Sequence, residues 1–328
     1  MAVAVFQDSL DAASIKAKAR ELGADLVGIA DSAEINANPP DPAEPRIPAN
    51  ISDYDADRVI VLAKRLSAGV TRIPRWDERH KYYNDELTMT ALEETALELV
   101  LWLEARGWPA LIVPPTHVDP WRYRGDPDEP MKPLLSLDHC AVEAGLGTLG
   151  LNLQLLTPEY GPRVMLAGVL CSAPVDCDGR MGTALCKGPE CGRCLRTCPG
   201  DVVGHWGRDW AGCDKFRAPH GFHHLTDFMD RMLDAEPAQQ KSMLRSEDTF
   251  DLWQSILRGA GAITGCRRCQ DVCPVGADFE RMIGDSLDDM PEDSAEKQAR
   301  LAGYAEAEAA GEMPEGYESQ KRWIGRFG

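Results

Sequence analysis

Apolar residues at helical spacing run from Ser9 to Leu22, and Gly23 supplies a stop, so the chain opens with a helix. A strand follows over Asp25 to Ala30. Pro39, Pro40, Pro42, Pro45 and Pro48 then rule out regular structure until Arg58 to Leu66, whose unbroken Val-Ile-Val-Leu-Ala core predicts a strand buried on both faces. Asp85 to Arg106 carries the strongest helical pattern, ends at Gly107, and leads into a short strand over Pro109 to Val113. This alternation predicts an α/β domain. Pro114 to Pro133 is irregular and too long for a simple connection in a compact domain, so it reads as a functional loop over a site. Leu137 to Ala144 predicts a helix that runs into Gly145, Gly147 and Gly150, and Arg163 to Cys171 a further buried strand. Farther on, His223 to Leu233, Glu247 to Arg258 and Ser294 to Ala310 read as helices. The acidic tail from Asp285 ends in a tip that is either mobile or packed through Trp323 and Phe327.

Two segments change this picture from a plain mixed fold to a redox protein: Cys191-Gly-Arg-Cys194-Leu-Arg-Thr-Cys198-Pro199 and Cys266-Arg-Arg-Cys269-Gln-Asp-Val-Cys273-Pro274. Each reads C-x2-C-x3-C-P. That spacing aims thiolates at one 4Fe-4S cubane, and the proline turns the last cysteine toward a second, as in two-cluster bacterial ferredoxins. Cys186 and Cys213 supply the two thiolates the motifs lack. The crossover rule assigns Cys186, Cys191, Cys194 and Cys273 to a first cluster, and Cys198, Cys213, Cys266 and Cys269 to a second. Cys177 is the competitor of Cys186. A pair of zinc knuckles is the alternative, but it explains neither the third cysteine nor the proline of each motif. Cys140, Cys171 and Cys177 are left for packing. The domains expected are residues 1–183, a cluster module over 184–278 with a helical insertion over 214–265, and the tail over 279–328.

Charge narrows the partners. The formal net charge is −18, from 53 acidic and 35 basic residues, which opposes the counterion release that drives nucleic-acid binding. Lys187, Arg193, Arg196, Arg267 and Arg268 nevertheless crowd the cysteine motifs. They either offset cluster charge or form a docking face for an acidic electron donor such as a ferredoxin or flavodoxin. His220, His223 and His224 are expected to be solvated or to cap helices. The start of the chain lacks the basic and cleavage features of an export signal, and no stretch has the ~18 apolar residues of a membrane helix. A cytoplasmic location, with thiols kept reduced for metal binding, is therefore expected.

The stretch Ala144-Gly145-Leu-Gly147-Thr-Leu149-Gly150-Leu151-Asn152, followed by Leu155-Leu156-Thr157-Pro158-Glu159-Tyr160-Gly161-Pro162-Arg163-Val164 and then the cysteine module, resembles the cobalamin-dependent family of epoxyqueuosine reductases and reductive dehalogenases. Leu22 to Ala30 is similar to that family's opening helix-to-strand turn. The resemblance implies an α/β (α+β) nitroreductase-like corrinoid-binding domain followed by the two-cluster ferredoxin-like module. It also implies cobalamin bound base-off beside Gly145, Gly147, Leu149, Gly150, Leu151, Asn152 and Leu156, and reductive chemistry through Co(I). Glycines there would let backbone approach a flat ligand. The chain departs from the family in two places: the family's Gly-Lys-Asn is Gly150-Leu151-Asn152 here, and the position of the epoxyqueuosine reductases' proton-donating aspartate falls at Met131. Tyr123, Lys132, Asp138 and His139, from the loop and the helix after it, are the candidate proton donors. A reductase of a small molecule, by dehalogenation or C–O or C–S cleavage, is the leading expectation. A tRNA-modifying enzyme and an electron carrier or cobalamin-reducing activator are the alternatives.

Overall fold

The computed structural model describes residues 7–73, 78–115, 125–126, 132–259, 261–284 and 290–325. Its upstream half contains β1 (Leu26–Asp31), β2 (Arg58–Arg65), β3 (Ala110–Val113), β4 (Thr148–Leu149), β5 (Leu155–Leu156) and β6 (Val164–Cys171). Four of these form one sheet in the order β1-β2-β6-β3, while β4 and β5 pair as a hairpin. The alternation of helix and strand is as predicted. Every neighbouring pair in the sheet is antiparallel, however, so the domain is α+β rather than a parallel α/β unit.

The central strand β2 shows why its sequence is continuously apolar. Val59, Val61 and Ala63 face a core shared with Leu137, Val142, Leu149 and Leu301, while Ile60 and Leu62 face a second core with Ile15, Leu92 and Leu99. All five of these strand residues are fully buried, each large one contributing ~1.5–3 kcal/mol. The second core is closed by two helices. Ala12–Leu22 starts at Asp11, whose carboxylate accepts from the Ser14 amide at 2.7 Å, and stops at Gly23 with φ 120°. Glu78–Glu104 starts earlier than the apolar pattern over Asp85 to Arg106: Lys81, ahead of that pattern, is buried as an ion pair with Asp271 at 2.8 Å, as Asp85 is with Arg267 at 2.5 Å.

The insertion carries the expected helices as Phe222–Asp234 and Glu247–Arg258, with Trp210–Arg217 and Pro237–Met243 in addition. Phe250, Trp253, Ile256 and Leu257 stand at least half exposed on Glu247–Arg258, whereas Leu252 is buried. The tail forms two helices, Ala295–Ala309, capped by Ser294, and Tyr317–Ile324. Leu301, Tyr317, Trp323 and Ile324 complete the core beneath β2, so the tail packs rather than hanging free; Phe327 lies outside the described residues. Among the described residues no helix is long and apolar enough to cross a membrane.

Candidate iron–sulfur and cofactor site

Both cysteine motifs fold in the same way. Gly192, at φ 52°, opens the short helix Arg193–Arg196 and places Cys194 one turn from Cys191; Arg268–Asp271 does the same for Cys269 after Cys266. The last cysteine of each motif then leaves its own helix. Cys273 arrives beside Cys186, Cys191 and Cys194, and these four line one cavity of about 380 Å³. Cys213, carried on Trp210–Arg217, lies within electrostatic reach of Cys198, and Cys269 of both. Burial pushes the Cys273 thiol up to about 12, and burial reinforced by Cys186 pushes Cys194 well above its ordinary value. Thiols so buried ionise only beside positive charge, which cluster iron supplies, so the donor set fits a cubane. Among the described residues no three His, Cys, Asp or Glu side chains converge on a point that one ion could occupy. A cubane bonds each thiolate to a different iron and therefore holds its ligands around a body. Cys177 is exposed and its charged neighbours are Arg58, Asp31 and Asp178, while Cys140 and Cys171 are buried in the cores.

Arg163, which follows the turn after β5, fixes the segment that delivers Cys273. Its side chain is fully buried, bonds both oxygens of Asp278 at 2.8 and 2.7 Å, and donates to the carbonyls of Gln270, Cys273 and Val275. The turns interlock around it. A Cβ on Gly161 would meet the Val275 carbonyl at 2.0 Å, and the Ala277 amide donates to Pro158 at 2.9 Å. Sequence reasoning noticed this stretch only as a resemblance. A lone arginine before a buried strand was the available signal, and nothing in its spacing pointed 110 residues downstream to Cys273.

The glycine segment divides. Gly150, Leu151, Asn152 and Leu156 form a wall of the cysteine-lined cavity. At Gly145 and Gly147 a Cβ would strike the Gly179 carbonyl at 2.6 Å and the Leu156 carbonyl at 1.8 Å, so close packing of the chain itself requires both glycines. Leu149 is in the core. The Asn152 amide donates to Gln154 Oε1 at 2.8 Å, and the Cys269 thiol donates to the same oxygen at 3.4 Å, so Asn152 is tied to the cluster module through Gln154.

Among the candidate proton donors, Asp138 accepts from the Leu155 amide at 2.8 Å and so pins the hairpin. His139 sits between Ser136 Oγ and Gln320 Oε1, at 2.8 and 2.9 Å, edge-on to Trp323. Lys132 pairs with Glu44. None of the three lines the cavity. Tyr123 and Met131 lie outside the described residues. The basic residues of the motifs also divide. Arg267 and Arg268 are buried, the first against Asp85, Asp271 and Thr71 and the second against Glu292, so they serve packing rather than a docking face. His224 Nε2 lies 2.8 Å from Asp248 Oδ1, which ties two helices of the insertion together rather than capping one or facing solvent.

No protein-family model and no curated protein sequence matches the chain. Solved structures do. The catabolic reductive dehalogenase NpRdhA is similar at 16% identity and a TM-score of 0.49, over 95% of this chain and 37% of that one. An epoxyqueuosine reductase with an epoxyqueuosine-modified tRNA stem loop is similar at 16% identity and 0.49, over 90% and 82%. The epoxyqueuosine reductase of Bacillus subtilis stands at 17% and 0.48, over 90% and 82%. The chain thus spans little more than a third of the length of the dehalogenase.

Proposed function

We propose that the chain is a cobalamin-dependent iron–sulfur reductase acting on a small molecule, by reductive dehalogenation or reductive C–O or C–S cleavage. The observation that carries this reading is the shared cavity, in which Cys186, Cys191, Cys194 and Cys273 meet Gly150, Leu151, Asn152 and Leu156 of the segment that resembles a corrinoid site. When bound, the clusters relay single electrons and the corrinoid supplies the cobalt centre that uses them. The chain's own residues hold and insulate. Cys186, Cys191, Cys194 and Cys273 would ligate the first cluster, Cys198, Cys213, Cys266 and Cys269 the second, and Arg163 keeps Cys273 in place. Gly150 lets the backbone pass close beside Leu156 and Asn152 in the wall next to the first set, and Leu151 and Leu156 keep that wall apolar. The electron donor proposed is a ferredoxin or flavodoxin. The net charge of −18 favours a small substrate over tRNA.

Anaerobic purification with cobalamin added, followed by an optical spectrum and metal analysis, tests the reading. We expect about eight irons, from two cubanes, and one cobalt per chain. Iron without corrinoid binding would leave an electron carrier and overturn the reductase. Turnover of a panel of organohalides supports the small-molecule assignment, and tight tRNA binding at physiological salt would overturn it.

A further inference from the structure

We infer that Arg208 raises the reduction potential of the second proposed cluster, acting through the thiolates of Cys213 and Cys269. This rests on the cluster reading above. Arg208 ends the small hairpin Val203–Gly204 and Gly207–Arg208, and its guanidinium reaches two sulfurs at once: Nη1 is 3.9 Å from Cys213 Sγ and Nη2 is 3.9 Å from Cys269 Sγ. Those cysteines sit on different helices, Trp210–Arg217 and Arg268–Asp271, and belong to different parts of the module. A planar fork with both arms on sulfur is a contact that lysine cannot copy, because an ammonium is a single compact charge. Trp210 stacks against the guanidinium, whose central carbon is 4.6 Å from the ring centroid, and holds the fork in its plane. Among the described residues its hydrogen bonds are to these two sulfurs, and its Nε is buried without a partner.

The consequence is electrostatic. Taking up one electron makes a cluster and its four thiolates one unit more negative, with no ligand lost or gained. A fixed cation donating to two of the sulfurs stabilises that reduced form more than the oxidised one, and hydrogen bonds to the sulfurs and local charge are the levers that set cluster potentials. The first set has a different environment: the Gly188 amide donates to Cys186 Sγ at 3.3 Å, and the guanidinium whose charge acts on Cys273, that of Arg163, has its donors on Asp278 and on main-chain carbonyls rather than on sulfur. Arg208 therefore acts on one cluster of the two.

The test is an anaerobic redox titration of the purified, cluster-loaded chain, followed by electron paramagnetic resonance, in wild type, Arg208→Lys and Arg208→Gln. Cys213→Ala identifies the second cluster by the signal it removes. In Arg208→Gln that signal should move to a lower midpoint potential while the other stays, and Arg208→Lys should shift it the same way by less. If Arg208→Gln loses iron, the lysine variant alone decides. Unchanged potentials with both clusters present, or an equal shift of both, would overturn the inference and leave the cluster reading intact. A wild-type protein without two clusters overturns both.

Discussion

His139 is held by Ser136, Gln320 and Trp323, and burial keeps its imidazole below the ordinary 6.5, with Gln320, Asp138 and Glu143 opposing and Arg46 reinforcing. The folded protein takes up this proton less readily than the unfolded chain. Its contribution to stability is therefore complete above pH 6.5 and is lost as pH falls through the depressed folded value. Protection factors of the amides in Tyr317–Ile324, which remove the intrinsic pH dependence of exchange, should fall as pH drops below 6.5, and His139→Gln should flatten the dependence; equal pH profiles in the two proteins would refute it. Arg163 gives a second expectation at this scale. Removing one partner of a buried ion pair costs ~3–5 kcal/mol, so Arg163→Ala should show that loss in denaturant melts and release iron from the first cluster. Arg163→Lys should not rescue it, because one ammonium cannot satisfy Asp278 and three carbonyls together. The two cysteine motifs are legible in the sequence because their spacing repeats. Arg163 and the self-directed Gly145 and Gly147 are not, since a residue's partner across the fold leaves no mark at its own position.

Among the elements, those with a full apolar stripe were found nearly to the residue. Glu247–Arg258 and Phe222–Asp234 are examples, because several turns of consistent spacing outweigh any single residue. The hairpin of β4 and β5 escaped notice, as two residues per strand are too few to carry a period. The early start of Glu78–Glu104 escaped for another reason, since charged Lys81 looks solvated until its partner Asp271 is known. Exposure on Glu247–Arg258 predicts a contrast. Leu252→Ala should destabilise by ~2–5 kcal/mol as a buried truncation, whereas Ile256→Lys should change the monomer's stability by no more than ~0.5 kcal/mol. Thermal melts of the two variants check it, and comparable losses would mean that Ile256 is covered in solution.

Across the whole molecule the sequence revealed two cysteine motifs and a mixed fold and left open whether the tail is mobile or packs; it packs, through Trp323, and seals the upstream core. That contact joins Glu143 to Trp323, 2.9 Å apart and far separated along the chain, and chain distance of that kind has no local signature. The division of the cysteines gives the last expectation. Cys198→Ser should remove about four of about eight irons, one cubane's worth, and Cys177→Ser none. Iron loss in the Cys177 variant would displace Cys186 from the ligand set. Cys273 reaches the cavity of Cys186, Cys191 and Cys194 only after the whole insertion has been made and packed. A growing chain therefore lacks a ligand of each proposed cluster until the second motif, Cys266 to Cys273, has been made. Under the proposed ligand assignment, metal loading would have to follow synthesis of the insertion, because the first motif alone completes neither set of four.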